Sequence, residues 1–312
     1  MEASFAARRK TRALQVGCVA IGGDATVAVQ SMTSTDTRDV AATVRQIRAL
    51  ERAGCEIIRV AIPDAEAVRA LPDIKKRIAI PLIADIHFQA RLAVAAIQKG
   101  VDGIRINPGN MAGDKIAEIV RAAKDHQTVI RIGVNAGSLE KDLLARYGVS
   151  ARALCESALR GAARLEDLGF ERIKLSIKSS DVPMMVEACR LVAARTDYPL
   201  HLGVTEAGTR VDAAVKSALG IGMLLADGIG DTIRVSVTGN PVLELPIAWS
   251  ILRALKIRMV GAEIISCPTC GRCEIDLAGL AVRVEKALAG RKKYIKVALM
   301  GCVVNGPGEA AE

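Results

Sequence analysis

A short apolar run followed by a longer amphipathic stretch recurs eight times between residues 27 and 239. The apolar runs predict strands at residues 27–33, 56–63, 81–88, 103–109, 129–138, 172–180, 199–208 and 231–239. The amphipathic stretches predict helices near residues 38–53, 64–77, 89–99, 112–125, 150–168, 181–195, 209–226 and 241–255. Nearly continuous apolar strands that alternate with helices indicate a parallel sheet with crossover helices.

The number of these units favours a closed (β/α)₈ barrel over an open doubly wound sheet. A doubly wound sheet that binds nucleotides would carry a G-x-G-x-x-G loop after an early strand, and the sequence has none. Ahead of the first barrel strand, Gly22-Gly23-Asp24 predicts a hairpin turn within an amino-terminal plug or strand pair. The fold class is therefore predicted to be α/β, with a TIM-type barrel.

The pattern changes after Arg258. A strand at 262–266, a cysteine-rich turn, a helix at 277–289 and a strand at 294–300 predict a small second α/β domain. We therefore expect a barrel domain at residues 1–256 and a small carboxy-terminal domain at residues 257–312.

The amino-acid composition limits the classes of function that the chain can have. Aromatic residues make up only 2% of the chain, which argues against base-stacking platforms for nucleic acid, although the net charge is +9. No apolar stretch is long enough to span a membrane, and the start lacks the apolar segment of a secretory signal. We therefore expect a cytoplasmic protein whose eight cysteines are reduced thiols or metal ligands. Four of them are expected in the core: Cys18, Cys55, Cys155 and Cys189.

The cysteines near the carboxyl terminus form the strongest chemical signal. Cys267-Pro-Thr-Cys270-Gly-Arg-Cys273 is followed by Cys302 in a second glycine-rich segment. Thiolates in tight turns can converge on one metal, and the glycines and prolines permit the bends that this requires. Two chemistries fit the pattern, a closed structural zinc site and an iron–sulfur cluster.

Polar side chains interrupt the apolar strands at their carboxyl ends, where a barrel places its active site. They are Arg59, Asp85, His87, Arg105, Asn107, Arg131, Asn135, Lys174, Ser176, Lys178, His201, Glu206, Arg234 and Ser236. Residues two apart on a strand point to one face, so many of these can share one mouth. Six are cations, and Asp85 and Glu206 can neutralise only two of them. This surplus of positive charge predicts a multiply phosphorylated small molecule as the ligand.

Two of these residues are candidates for proton transfer, and a third, His201, is not. Glu206 ends its strand and can deliver a proton, although a salt bridge to Lys178 or Arg234 is the alternative. His87 beside Asp85 is either a general acid or base, or a simple hydrogen-bond donor to phosphate. His201 begins its strand and is expected to be structural.

Several longer motifs together carry a resemblance to a known family. They are Ala84–Phe88 (ADIHF), Arg105–Asn110 (RINPGN), Arg131–Asn135 (RIGVN), His201–Gly208 (HLGVTEAG), Cys267–Arg272 (CPTCGR) and Gly301–Glu309 (GCVVNGPGE). From about Val29 to Glu309 the chain resembles the 4-hydroxy-3-methylbut-2-enyl diphosphate synthases of the non-mevalonate isoprenoid pathway. The resemblance implies reductive ring opening and dehydroxylation of 2-C-methyl-D-erythritol 2,4-cyclodiphosphate, with electrons from flavodoxin or ferredoxin.

The resemblance also implies a [4Fe–4S] cluster in the small domain. Its ligands carry over as Cys267, Cys270, Cys302 and the carboxylate of Glu309, which leaves Cys273 as a bystander. A head-to-tail homodimer is implied, in which the small domain of one chain covers the barrel mouth of the other. Members of the family continue beyond the position that corresponds to Glu312, so we expect this chain to represent a shortened form.

Two other function classes remain open. A zinc-stabilised module could bind nucleic acid through its positive charge, but such binding would spread cations along an outer face. A barrel lyase acting on a phosphorylated substrate could use Lys174 or Lys178 as a Schiff base, and it would not need the cysteines.

Overall fold

The computed structural model describes residues 5–86, 89–107, 113–302 and 308 of the chain. The strands within these residues are β1 (Leu14–Val16), β2 (Val19–Ile21), β3 (Ala28–Met32), β4 (Ile57–Ala61), β5 (Leu82–Asp85), β6 (Gly103–Ile106), β7 (Val129–Asn135), β8 (Ile173–Lys178), β9 (His201–Leu202), β10 (Thr232–Ile233), β11 (Ala262–Ser266) and β12 (Ile295–Leu299). The α-helices are α1 (Val40–Arg52), α2 (Ala65–Lys75), α3 (Ala90–Gln98), α4 (Gly113–Asp125), α5 (Lys141–Tyr147), α6 (Ala151–Glu166), α7 (Val182–Ala193), α8 (Arg210–Ala226), α9 (Glu244–Ala254) and α10 (Leu277–Leu288).

Strands β3 to β10 form one parallel sheet in the order β8-β7-β6-β5-β4-β3-β10-β9. A parallel bridge between Leu175 on β8 and Leu200, just before β9, joins the two ends of this order. The sheet therefore closes on itself, and the prediction of a (β/α)₈ barrel is confirmed.

Carboxylate caps explain why several helices begin directly after the strand-to-helix loops. Asp39 accepts a hydrogen bond from Ala42 N at 2.9 Å at the start of α1. Asp181 does the same for Met184 N at 2.8 Å at the start of α7. Each cap satisfies a backbone N–H that the first helical turn leaves open, so the loops end at defined residues.

The amino-terminal hairpin of β1 and β2 packs against the bottom of the barrel. Leu14, Val16 and Ile21 share a buried cluster with Ala28, Ile57, Ile83 and Val129 from four barrel strands. The prediction of an amino-terminal strand pair holds, but the turn between its strands is Gly17-Cys18. Gly22 and Gly23 lie after β2 instead, both with positive φ, and lead towards the barrel.

That hairpin also corrects one expectation about the thiols. Cys18 lies in the turn and is exposed, whereas Cys55, Cys155 and Cys189 are buried as expected. Burial raises the pKa of the Cys55 and Cys189 thiols to about 12, so both stay neutral.

The chain divides into two compact units, Met1–Ile251 and Leu252–Glu312. In the second unit β11 and β12 pair in parallel from Ala262↔Ile295 to Ser266↔Leu299, and α10 connects them. The functional domain limits 1–256 and 257–312 stay a prediction. Among the described residues, none of the helices combines the length and the hydropathy that a membrane crossing requires.

Candidate active site

A cavity of about 160 Å³, called the mouth cavity below, lies at the carboxyl ends of the barrel strands. It is lined by Arg59, Asp85, Arg105, Arg131, Asn135, Ser176, Lys178, Thr205, Arg234 and Ser236. Sequence reasoning had singled out all of these except Thr205, which lies beside Glu206. The described candidates that lie outside this lining are Asn107, Lys174, His201 and Glu206.

Asp85 is held between two arginines of the neighbouring strands. Its Oδ1 lies 3.4 Å from Arg105 Nη1, and its Oδ2 lies 3.6 Å from Arg59 Nε. All three side chains are less than one tenth exposed, so the carboxylate is partly neutralised before any ligand arrives. Asp85 therefore positions the guanidinium groups of Arg59 and Arg105. A contact between Asp85 and a substrate would come in addition to this role.

A buried carboxylate that the sequence interpretation missed, Glu244, pairs with Arg234. Its Oε1 lies 3.0 Å from Arg234 Nη2, and its Oε2 accepts a hydrogen bond from Ser31 Oγ at 2.7 Å. We had considered Glu206 as the partner of Arg234, and the structure assigns that place to Glu244. The available signal was a glutamate in the first turn of α9, directly after the eighth barrel strand.

Arg131 and Lys178 are basic side chains that form no ion pair with a carboxylate among the described residues. Arg131 is 2% exposed, and its Nε and Nη1 have no hydrogen-bond partner among the described residues. Burial, and then the neighbouring arginines, lower the pKa of Arg131 and of Lys178 well below their usual values. A buried cation without a partner is a site prepared for an anion.

Two glycines make room for these long cationic side chains. A Cβ on Gly133 would lie 2.4 Å from Arg105 Nε, so the guanidinium of Arg105 crosses β7 where that strand has no side chain. A Cβ on Gly203 would lie 2.4 Å from Arg234 O and 3.1 Å from Lys178 Nζ. Neither position could take a larger residue without moving a cation of the mouth cavity.

Glu206 lies in the loop that follows β9, exposed and in a left-handed backbone conformation with φ 52°. A non-glycine residue in this region is strained, and such strain is concentrated at functional positions. His87, the other candidate for proton transfer, lies outside the described residues. Asn107 donates to Ser138 Oγ at 2.8 Å, which orients its amide beside the cavity lining.

In the second unit, the cysteine turn lies at the carboxyl ends of the paired strands β11 and β12. Cys267 N donates to Leu299 O at 3.2 Å, and Glu274 N donates to Gly301 O at 2.9 Å. Cys302 is therefore next to the segment that carries Cys270 and Cys273. Among the described residues, no three potential ligands already converge on one point, and Glu309 lies outside them. The ligand set stays a prediction.

A second cavity, of about 310 Å³, lies at the opposite face of the barrel. Asp102, Thr128 and Arg172, which line it, immediately precede β6, β7 and β8. This amino-terminal face of a barrel is associated with stability, whereas chemistry is found at the carboxyl ends of the strands. The larger cavity is therefore not the active-site candidate.

The fold and the site together define a barrel enzyme with a mouth lined by cationic side chains and a thiol-rich second unit. The chain belongs to the GcpE family: residues 11–249 match the GcpE TIM-barrel domain, and residues 263–312 match the GcpE protein C-terminal domain.

Two bacterial relatives are each named 4-hydroxy-3-methylbut-2-en-1-yl diphosphate synthase (flavodoxin). The protein from Geobacter sulfurreducens is 56% identical over 98% of this chain and 87% of its own length. The protein from Thermodesulfovibrio yellowstonii is 57% identical over 98% of this chain and 88% of its own length. Among solved structures, dihydropteroate synthase from Stenotrophomonas maltophilia covers 79% of this chain and 98% of its own, with a TM-score of 0.58 and 13% identity. That last likeness shows the barrel fold alone.

Proposed function

We propose that this protein catalyses the reductive ring opening and dehydroxylation of 2-C-methyl-D-erythritol 2,4-cyclodiphosphate to 4-hydroxy-3-methylbut-2-enyl diphosphate. In this reaction the substrate takes up two electrons and two protons and releases one water molecule, while both phosphates are retained. The observation that carries the proposal is the surplus of buried cations at the mouth of a GcpE-family barrel. A cyclic diphosphate supplies the negative charge that this surplus calls for.

The cationic side chains of the mouth cavity divide into two groups in this proposal. Arg131 and Lys178 bind phosphate oxygens directly, because neither is paired with a carboxylate of the described residues. Arg59, Arg105 and Arg234 bind while held in place by Asp85 and Glu244. The polar groups of Asn107, Asn135 and Ser236 complete the substrate contacts. Glu206, and His87 beyond the described residues, are the inferred proton donors.

We further infer a [4Fe–4S] cluster held by Cys267, Cys270, Cys302 and Glu309. The donor chemistry fits, because iron–sulfur clusters are held by thiolates, and the three thiols lie beyond the carboxyl ends of two paired strands. When bound, this group supplies the electrons. The donor to it is inferred to be flavodoxin, the protein in the relatives' names, with ferredoxin as the alternative. A chain with eight cysteines, three of them proposed cluster ligands, suits a reducing compartment, so we propose a cytoplasmic location.

Anaerobic turnover tests the function directly. Protein purified under nitrogen should be brown, should contain iron and sulfide, and should convert the cyclic diphosphate to the open allylic diphosphate with reduced flavodoxin. Phosphorus NMR distinguishes the two compounds, and the Glu206→Gln variant serves as a matched control that keeps the cluster. A colourless zinc protein would contradict the proposal. Trapping of Lys174 or Lys178 by borohydride would instead indicate a barrel lyase.

We also infer that the protein acts as a homodimer. Helix α8 carries four apolar side chains at a spacing of four residues on an exposed face. Val211 is 73% exposed, Val215 54%, Leu219 52% and Met223 43%. The opposite side of the same helix is buried through Ile221 and Leu224. A helix that is apolar on both sides is usually buried on both sides, which favours a second copy of the chain against the exposed stripe.

Sedimentation velocity tests this interface. The double variant Val215→Glu, Leu219→Glu should raise the dimer dissociation constant by a factor on the order of 100, because two carboxylates would lose water in an apolar contact. Gln98→Glu, on an exposed position at the end of α3, is the matched control and should sediment like the wild type. An unchanged dimer in the double variant would place the interface elsewhere.

A further inference from the structure

Directly below the mouth cavity, four long polar side chains point into the barrel interior. We call this set, Gln30, Arg131, Lys174 and His201, the inner polar layer. The alternation of side chains along each strand places them inside. Met32 on β3 and Lys178 on β8, an even number of residues from Gln30 and Lys174, adjoin or belong to the cations of the mouth. Gly203, two residues after His201 and just beyond β9, lies beside Lys178. Arg131 belongs to both levels and is the register partner of Lys174.

These side chains are buried without the partners that such groups normally have. Their exposed fractions are 1% for Gln30, 2% for Arg131, 1% for Lys174 and 0% for His201. Among the described residues, Lys174 Nζ, His201 Nε2 and both amide atoms of Gln30 have no hydrogen-bond partner. His201 Nδ1 is hydrogen-bonded to Thr232 Oγ1 at 2.8 Å, so only one of the two ring nitrogens has a partner. Buried polar groups of this kind normally indicate a ligand, ordered water or a change of protonation.

Lys174 cannot rely on the nearest carboxylate for neutralisation. Asp231 lies close enough to influence it, but its oxygens already bind Arg8 Nη2 at 2.8 Å and Thr11 Oγ1 at 2.9 Å. The same carboxylate also accepts from Leu200 N at 2.8 Å. The other ionisable groups that face Lys174 are Arg131, Arg59 and His201, none of which can carry negative charge.

We propose that Lys174 is largely uncharged in the free enzyme at mildly alkaline pH and takes up a proton when a diphosphate occupies the mouth cavity. The inner polar layer then stores one proton directly below the bound substrate. This inference rests on the proposed function, because the reaction described above consumes protons together with electrons. Lys174 does not touch substrate in this proposal. Its charge influences the bound diphosphate only through Arg131 and the other side chains of the barrel interior.

The electrostatics set the direction of the change. Burial, and then repulsion by Arg131, lower the pKa of Lys174 to about 7. A diphosphate bound to Arg131 and Arg59 places negative charge beside the cations that disfavour the ammonium form. Binding therefore raises the pKa of Lys174, and a raised pKa at constant pH means that a proton is taken up from solution.

Calorimetric titration of the anaerobic, cluster-loaded protein with inorganic pyrophosphate tests this proposal. Measurements in buffers of different ionisation enthalpy count the protons exchanged on binding. Wild type should take up about half a proton more than Lys174→Met at pH 7, and up to about 0.9 of a proton more at pH 8. Subtraction removes any contribution from pyrophosphate itself or from Lys178. Lys99→Met, which removes an exposed lysine, is the matched control and should match the wild type.

The possible outcomes separate this inference from the proposed function. Pyrophosphate binding with equal proton uptake in wild type and Lys174→Met would overturn the proton store and leave the diphosphate site standing. Absence of pyrophosphate binding to wild type would overturn both. Lys174→Met should melt no lower than wild type, because a buried amine without a partner is replaced by an apolar chain of similar length. If it does not fold, Lys174→Gln, which cannot titrate, must give the same difference.

Discussion

Arg131→Met should weaken diphosphate binding by a factor on the order of 100, without lowering the melting temperature of the barrel. A charge-assisted hydrogen bond in a buried site contributes about 3 kcal/mol, which corresponds to a change of that size in the dissociation constant. Arg131 is fully buried, and two of its three guanidinium nitrogens have no partner among the described residues. Its removal therefore breaks no salt bridge within the part of the chain that the structure describes, and it relieves repulsion among the cations around it.

Arg105→Met is the informative comparison, because Arg105 and Arg131 are register partners on adjacent strands. Arg105 also forms an ion pair with Asp85 at 3.4 Å, so this variant should lose both affinity and thermal stability. Arg69→Met, at an exposed position of α2, should change neither quantity. Titration with pyrophosphate and thermal unfolding measure the two effects. Full affinity in Arg131→Met would mean that this arginine has only a structural role.

The periodic pattern of the chain was sufficient to predict the barrel, because each strand is buried on both faces and each helix on one. It was less able to predict where strands end. The seventh and eighth barrel strands were predicted at 199–208 and 231–239, but β9 and β10 have two residues each. Beyond them the chain stays buried through Val204 and Val235 without ladder pairing. An apolar, buried segment is therefore predicted as a strand from the sequence even where regular ladder pairing has ended.

The polar residues of the mouth were predictable for a similar reason. A charged residue at the carboxyl end of an apolar strand is conspicuous, and strand alternation gives its direction. The carboxylate that pairs with such a charge is harder to recognise in the sequence. Glu244 lies in the first turn of α9, where a glutamate is ordinary, and only the closed barrel brings it 3.0 Å from Arg234. In the inner polar layer, Arg131, Lys174 and His201 are among the polar residues that the sequence singles out, whereas Gln30 is not. That the atoms of this layer lack partners is seen only in the folded interior.

The turn of the amino-terminal hairpin shows a limit of local signals. Gly17, Gly22 and Gly23 all have positive φ, so each is suited to a tight turn. The Gly22-Gly23 pair is the stronger signal in sequence, yet the turn forms at Gly17-Cys18. Pairing there allows Leu14, Val16 and Ile21 to enter one apolar cluster below the barrel. Burial of the hairpin decided its register, and local turn preference did not.

Cys302→Ser should remove most of the iron and the visible absorption from anaerobically purified protein and reduce turnover to background. Serine at this position offers a hard and poorly ionised oxygen in place of a soft thiolate, so one of three thiolate ligands is lost. The residue follows β12 on the edge where Cys267 follows β11, and the pairing of Ser266 with Leu299 brings the two segments together. Iron and sulfide analysis, visible absorption and the rate with reduced flavodoxin would measure the loss.

Two serine variants make this result specific to the ligand set. Cys18→Ser replaces an exposed thiol in the amino-terminal hairpin, so it should retain its iron and full turnover. Cys273→Ser tests the predicted bystander. The Cys273 thiol adjoins Gly301, where an added Cβ would overlap its sulfur, so this variant probes a thiol directly beside the ligand segment. Retained iron in Cys273→Ser together with lost iron in Cys302→Ser would support the ligand set Cys267, Cys270, Cys302 and Glu309. The reverse pattern would place Cys273 among the ligands and contradict it, because thiolates so close together compete for the same iron.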